Sequence, residues 1–136
     1  MYDGPILDNH FHLDPRGLVE EAARQFQRAG GTHLVVVHKP YGEPPRLNRT
    51  IDDHRRDFDT TLALAERVRR AVHEVRVFVA LGPHPAEFTA MLEQGHGLEG
   101  ADRVYRAAVE LAGRYVSEGK AVALGEIGRP HWQPVE

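Results

Sequence analysis

Four short apolar runs alternate with stretches long enough to form helices, and this alternation limits the chain to very few folds. The runs cover residues 5–12, 32–38, 75–81 and 121–124. Two parallel strands must be joined by a crossover of a dozen or more residues, usually a helix, whereas antiparallel strands need only a short turn. The order β-α-β-α-β-α-β therefore predicts an α/β fold with a parallel sheet and right-handed connections.

The connecting stretches have the character of helices. Apolar side chains at intervals of three or four residues, together with a proline that can open a helix, predict helices over 17–29, 57–73, 85–92 and 98–117. The second apolar run, 32–38, is β-branched without alternation, which is typical of a parallel strand covered on both faces. At 136 residues the chain is within the range of a single domain that buries a sizeable core.

The composition excludes several classes of function. The formal net charge of −3 provides no broad basic surface for nucleic acid or for an anionic membrane. The chain has no cysteine, so disulfides and thiolate metal ligands are excluded, and any zinc must be bound by nitrogen and oxygen. No stretch is apolar enough to span a bilayer, and the first four residues lack the features of a signal peptide. We therefore expect a cytoplasmic protein with no membrane partner.

A His-x-His pair lies at the end of the first apolar run. Side chains along a strand alternate between its faces, so His10 and His12 are predicted to share one face with Asp8. Two imidazoles on one face can bind the same cation, and neutral imidazole suits zinc and other transition metals. The alternative is a pair of surface histidines, since short metal motifs have many false positives. The opposite, apolar face is expected to carry Leu7, Phe11 and Leu13.

Chemically active side chains also follow the other three apolar runs. His38 ends the second run, His84 follows the third and Glu126 follows the fourth. In parallel α/β folds the functional groups lie at the carboxyl ends of the strands, which meet on one side of the molecule. The sequence therefore predicts that these side chains share one site with the His-x-His pair.

Residues 95–100 spell Gly-x-Gly-x-x-Gly, the fingerprint of dinucleotide-binding turns. That fingerprint has to follow a strand and open a helix. Here it follows the segment 85–92, which is predicted to be helical. We interpret it as a flexible linker and expect no nicotinamide or flavin cofactor.

Three motifs resemble those of the TatD-type metal-dependent hydrolases, which belong to the amidohydrolase superfamily and are TIM barrels. They are DNHFHLD at 8–14, GPHP at 82–85 and GEIG at 125–128, in the family's order and spacing. Longer matches at 32–41 and 128–132 are more similar to the archaeal TatD-related branch than to the bacterial enzymes. The bacterial pattern continues GEIG with Leu-Asp-Tyr, where this chain has Arg-Pro-His.

The resemblance implies a role for several of the residues already singled out. His10, His12 and Glu126 would bind one or two divalent metal ions, and zinc, manganese, magnesium and iron are not distinguished. His84 matches a histidine that lies near the substrate phosphate and is not usually a metal ligand. The family's catalytic base, an aspartate after the eighth strand, is expected beyond Glu136.

Other polar side chains near the strand ends have no role that the resemblance transfers. Lys39, Arg129 and His131 are expected at the mouth of the site, where cations can stabilise charge that develops on a phosphate. Asp8 and His38 are expected to contact the metal ligands without binding the metal themselves. For His38 the alternative is a structural hydrogen bond within the rim of the barrel.

The length of the chain predicts only part of such a barrel. A (β/α)8 barrel typically needs about 250 residues, and four strands are half of its sheet. We therefore expect residues 1–136 to form the N-terminal half of a TIM barrel, a parallel (β/α) half-barrel. Its two edge strands would be open and would invite pairing with another chain. The isolated chain is expected either to self-associate, with two halves completing eight strands, or to be poorly ordered.

The resemblance implies hydrolysis of a phosphodiester, as in a DNase, by a metal-activated hydroxide. DNA is then a candidate substrate, although the acidic charge balance gives no independent support. One alternative is a catalytically incomplete half-barrel that only binds metal. A second is a related amidohydrolase acting on a lactone, an amide or a phosphotriester. A third is a flavodoxin-like binding domain, which leaves the histidines at the strand ends unexplained.

Overall fold

A computed structural model describes residues 2–42 and 48–128, and the predicted alternation of strands and helices is present in them. The strands are β1 (Leu7–Phe11), β2 (His33–Val37), β3 (Arg76–Leu81) and β4 (Ala123–Leu124). The helices are α1 (Val19–Arg28), α2 (Ile51–Ala71), α3 (Pro85–Glu93) and α4 (Gly97–Ser117). In these residues no helix is long and apolar enough to cross a membrane.

The strands pair in parallel in the order β1-β2-β3-β4. Each crossover moves the chain by one strand in the same direction, as in a (β/α) barrel. A flavodoxin-like sheet has the order 2-1-3-4-5 instead, so that alternative does not fit. The prediction of an α/β fold with a parallel half-barrel sheet is confirmed. The assignment of residues 1–136 to the N-terminal half of a longer barrel stays a prediction.

The helices cover one face of the sheet and form the core with it. The buried sheet residues of this face are Leu34, Val36, Val77, Val79 and Leu81. They pack against buried side chains of the helices, which include Phe58, Leu64, Val68, Leu111 and Tyr115. Complete burial of one large apolar side chain is worth about 1.5–3 kcal/mol, so this layer stabilises the fold and fixes the strand ends.

A bulge in β1 changes the predicted faces of the first strand. Asp8 pairs with Leu34 but Phe11 pairs with Val36, so β1 has one more residue than β2 over this interval. An extra residue reverses the alternation of faces beyond it. Phe11 packs against the helix-side core, as predicted, while Leu7 is 56% exposed. The prediction that Leu7 and Phe11 share the apolar face is therefore wrong.

Helix α2 begins at Ile51, six residues before its predicted start. Thr50 ends the preceding loop with a capping box: its hydroxyl accepts a hydrogen bond from the N–H of Asp53 at 3.1 Å, and the Asp53 carboxylate accepts one from the N–H of Thr50 at 3.1 Å. These bonds satisfy two backbone donors that a helix start otherwise leaves free. The pattern Thr-x-x-Asp in the sequence is the signal that the prediction missed.

The Gly-x-Gly-x-x-Gly run lies between two helices, as predicted, but it is not a linker throughout. Helix α3 ends at Glu93, and α4 begins at Gly97, so residues 97–100 form the first turn of α4. Gly95 and Gly97 have φ angles of 81° and 68°, a region that favours glycine. The glycines therefore serve a tight connection between α3 and α4.

The face of the sheet opposite the helices is open in the described residues, and we call it the open face. An apolar groove of about 510 Å³ lies on it and is lined by Pro5, Leu7, His33, Val35, Phe78 and Val122. The prediction that 32–38 is covered on both faces is thus wrong for this side, where Val35 is only half-buried. A second groove of about 410 Å³ continues the open face to His10 and Glu126.

Candidate metal centre

His10, His12 and Glu126 meet at the carboxyl end of the sheet. Nε2 of His10 lies 3.1 Å from Nε2 of His12 and 3.4 Å from Oε2 of Glu126. The three potential ligand atoms lie within 4.8 Å of one another. In a flat sheet β1 and β4 would be about 14 Å apart, because neighbouring strands are spaced by about 4.8 Å. The contact therefore requires side chains that converge over one face from the two edges of the sheet.

A backbone carbonyl determines which nitrogen of His12 faces this cluster. Nδ1 of His12 lies 2.9 Å from the carbonyl oxygen of Val37, at the end of β2. A carbonyl can only accept a hydrogen bond, so Nδ1 carries the proton and Nε2 of the neutral ring keeps its lone pair. Metal-binding histidines usually have their second nitrogen held in this way. His12 is therefore in the tautomer that a metal needs.

Asp8 fixes the backbone next to the pair. Its Oδ1 accepts a hydrogen bond from the N–H of His10 at 2.9 Å. The bond lies within the bulged part of β1, where the ladder to β2 is interrupted. Asp8 thus acts on the backbone of His10 rather than on an imidazole.

His84 approaches the other oxygen of Glu126. Its Nε2 lies 3.6 Å from Oε1 of Glu126, whereas Oε2 faces His10. His84 caps α3, and its Nδ1 accepts a hydrogen bond from the N–H of Ala86 at 3.1 Å. Nε2 therefore carries the proton in the neutral ring. Burial lowers the pKa of His84, against the opposing effect of Glu126, and favours that neutral form.

The structure turns His38 away from the cluster. Its side chain is completely buried on the helix side of the sheet, with the ring edge against Phe58 and a ring distance of 4.9 Å. Nδ1 lies 2.8 Å from the hydroxyl oxygen of Thr61 in α2. Burial lowers its pKa to about 3. The structural hydrogen bond that the sequence left as an alternative is thus present.

Lys39 is engaged in an ion pair. Its Nζ lies 3.0 Å from Oδ2 of Asp14, and the two side chains are about one-third and one-quarter exposed. The N–H of Arg16, and then Lys39, hold the pKa of Asp14 well below its usual range. The predicted substrate residues Arg129 and His131 lie outside the described residues.

A buried polar cluster behind the site was missed by the sequence analysis. It consists of Asn48, His54, Asp57 and Glu87, from the starts of α2 and α3. Nδ2 of Asn48 donates to Oδ2 of Asp57 at 2.9 Å, and Nδ1 of His54 lies 3.8 Å from Oε2 of Glu87. Burial raises the pKa of Glu87 to about 8 and lowers that of His54 to about 4. The only signal in the sequence was a glutamate three residues after His84, where a capping box places it.

The donor set of the cluster fits a divalent transition metal. Two imidazole nitrogens and one carboxylate oxygen are suitable zinc ligands, with bonds of about 2.0–2.2 Å. Two atoms bound to one ion at such lengths are at most about 4.4 Å apart, and the contacts of His10 at 3.1 Å and 3.4 Å are shorter than this. Three protein ligands leave coordination positions free for water or substrate.

The fold and the ligand cluster define a class: parallel half-barrel proteins with a potential metal centre at the carboxyl ends of the strands. The chain belongs to the TatD related DNase family, a family of metal-dependent hydrolases, whose model matches residues 7–136. It is 32% identical over 131 residues to an uncharacterized protein of Methanocaldococcus jannaschii. The match covers 94% of this chain but 43% of that relative, so the chain spans less than half of its length. No solved structure matches.

Proposed function

We propose that this chain provides the metal-binding part of a phosphodiesterase of the DNase type. The observation that carries the proposal is the convergence of His10, His12 and Glu126, from opposite edges of the sheet, within 4.8 Å. The family membership supports hydrolysis, and the phosphodiester is the substrate class that its name suggests. Action in the cytoplasm is part of the same proposal.

His10, His12 and Glu126 would hold one or two divalent ions, with zinc, manganese, magnesium and iron as candidates. Such an ion lowers the pKa of a bound water towards neutrality and polarises a phosphoryl oxygen. The Val37 carbonyl keeps His12 in the ligating tautomer. Glu126 presents one oxygen to His10 and the other to His84, so its carboxylate can span the centre.

His84 is the residue we assign to the substrate. Its Nε2–H points into the site next to Glu126 and can donate to a phosphoryl oxygen as negative charge develops there. Lys39 and the predicted Arg129 and His131 would add positive charge or donors at the mouth. The base that completes the reaction is proposed to lie beyond Glu136.

The open face provides support for a second candidate, a half-barrel that binds metal without catalysis. Leu7 and Val122 are each 56% exposed there, and Leu124 is 41% exposed. A site with one open side lacks the residues that would orient substrate from the opposite wall. We propose that the isolated chain self-associates through this face, so that two copies complete the eight strands of a barrel.

The test is hydrolysis of bis(p-nitrophenyl) phosphate and of linear DNA by the longer barrel that is proposed to contain residues 1–136, loaded with Mn²⁺ or Zn²⁺. Metal-dependent hydrolysis that is lost in His10→Ala and kept in His73→Ala, an exposed histidine beyond α2, supports the proposal. Tight metal binding without hydrolysis supports the non-catalytic candidate. Hydrolysis of lactones or amides, with neither phosphodiester cleaved, contradicts the phosphodiester assignment.

A further inference from the structure

The side chain of Glu87 is buried more deeply than its role in the helix cap requires. Its Oε2 accepts a hydrogen bond from the N–H of His84 at 2.9 Å, and its own N–H donates to the carbonyl oxygen of His84 at 2.9 Å. Glutamate at this position of a capping box serves equally well on the surface. Here the side chain is completely buried.

This burial is unfavourable for stability. Both ring nitrogens of His54 have no hydrogen-bond partner among the described residues, while the side chain and the backbone N–H of Asn48 interact with the buried Glu87 carboxyl. A buried polar group without a partner is unfavourable for folding, because it loses its hydrogen bonds to water. A polar pair kept at such a cost, directly behind a candidate active site, indicates a role in the site rather than in the core.

The hydrogen bonds of Glu87 fix the position of His84, the residue that faces Glu126. Glu87 holds the backbone of His84 from both sides, and this holds Nδ1 against the N–H of Ala86. With Nδ1 occupied as an acceptor, the proton of the neutral ring is on Nε2, which lies 3.6 Å from Glu126. The geometry thus connects a buried carboxyl to the tautomer of a side chain in the site.

We propose that Glu87 is a positioning residue that keeps His84 in the Nε2–H tautomer and directs this donor towards Glu126 and the substrate. The inference rests on the proposed function for the identity of the substrate, a phosphodiester, but not for the tautomer. Because burial favours the uncharged acid, an amide of the same shape should replace Glu87. Glu87→Gln should therefore behave like the natural protein, whereas Glu87→Met, which is similar in size but has no acceptor oxygen, should not.

The first measurement is ¹⁵N NMR of the His84 ring in the metal-free 136-residue chain. The wild type and Glu87→Gln are expected to show the Nε2–H tautomer, and Glu87→Met a mixture of both tautomers. Glu99→Met, in the exposed first turn of α4, is the matched control and is expected to leave His84 unchanged. If Glu87→Met does not fold, Glu87→Leu, which also lacks an acceptor oxygen, is expected to give the same mixture.

The second measurement is kcat and KM for the phosphodiester in the longer barrel that is proposed to contain residues 1–136, loaded with Mn²⁺. Glu87→Met is expected to lower kcat about 10-fold, the typical effect of removing a residue that orients a metal-site side chain, with Glu87→Gln close to wild type. A single Nε2–H tautomer in Glu87→Met, or an Nδ1–H tautomer in the wild type, overturns the inference. If the wild type hydrolyses no phosphodiester, the proposed function fails, while the tautomers still decide the role of Glu87.

Discussion

Nδ1 of His12 lies 2.9 Å from the carbonyl oxygen of Val37, so the end of β2 determines which nitrogen of the histidine that follows β1 can bind metal. The contact depends on parallel pairing of the two strands, since only then do their carboxyl ends lie side by side. The candidate metal centre is thus a consequence of strand order as much as of the His-x-His motif.

The first prediction concerns Thr61, whose hydroxyl connects β2 to α2. Its oxygen lies 2.8 Å from Nδ1 of His38 and 2.6 Å from the hydroxyl of Tyr41, and it donates to the carbonyl oxygen of Asp57. Thr61→Val keeps the shape but leaves buried polar groups without a partner, each at a cost of about 1–3 kcal/mol. We expect a loss of about 2 kcal/mol or more in the free energy of unfolding, measured in urea.

Thr60→Val is the matched control for this experiment. Thr60 lies next to Thr61 on α2, and its hydroxyl donates to the carbonyl oxygen of Arg56 at the helix surface. Its replacement is expected to change the unfolding free energy by less than about 0.5 kcal/mol. Equal effects of the two substitutions would show that Thr61 has no special role.

The second prediction concerns the pH dependence of stability. Burial raises the pKa of Glu87 from 4.5 to about 8. Between these values the folded protein holds a proton that the unfolded chain has released. The contribution of Glu87 to the free energy of unfolding therefore falls as pH rises through the interval. The wild type is therefore expected to become less stable relative to Glu87→Gln between pH 5 and pH 8, which urea unfolding at a series of pH values measures.

His38 and His54 have the opposite dependence and are the same in both proteins of this comparison. Burial lowers their pKa values from 6.5 to about 3 and about 4. Their contribution to the free energy of unfolding falls as pH drops below 6.5, because the unfolded chain then binds protons that the folded chain does not. Their effect cancels in the difference between wild type and Glu87→Gln. A difference that is constant with pH would contradict the raised pKa of Glu87.

The third prediction concerns the open face. Val122 lines both apolar grooves and is 56% exposed, so a charge there should oppose any partner that covers this face. Light scattering is expected to show self-association of the wild type and a monomer for Val122→Asp. Leu98→Asp, at an exposed position of α4, is the control and should still self-associate. A wild-type monomer would refute self-association.

The sequence was sufficient to predict the elements of the fold and the position of the candidate site. Alternation of apolar runs and helical stretches depends on local composition, and parallel order follows from the length of the crossovers. His10, His12 and Glu126 were identified because they end or follow the apolar runs that form β1 and β4. These predictions needed no knowledge of how side chains pack.

What the sequence did not predict depends on contacts between distant segments. The bulge in β1 is visible only against the register of β2, since Asp8 and Phe11 pair with Leu34 and Val36. The burial of Glu87 involves His54 of α2, whose Nδ1 lies 3.8 Å from Oε2 of Glu87, and this contact joins segments that are far apart in the sequence. His38 follows its strand as other histidines do. Its side chain lies on the helix side of the sheet, and this placement keeps it out of the site.

Metal binding by the 136-residue chain is the most direct test of the central claim. We expect calorimetric titration with Zn²⁺ or Mn²⁺ to show saturable binding to the wild type and to His73→Ala. His10→Ala, His12→Ala and Glu126→Ala should each weaken it by more than about 100-fold, because each removes a ligand rather than a residue behind one. Unchanged affinity in His10→Ala, or a wild type that binds neither ion, would contradict the assignment of the metal centre.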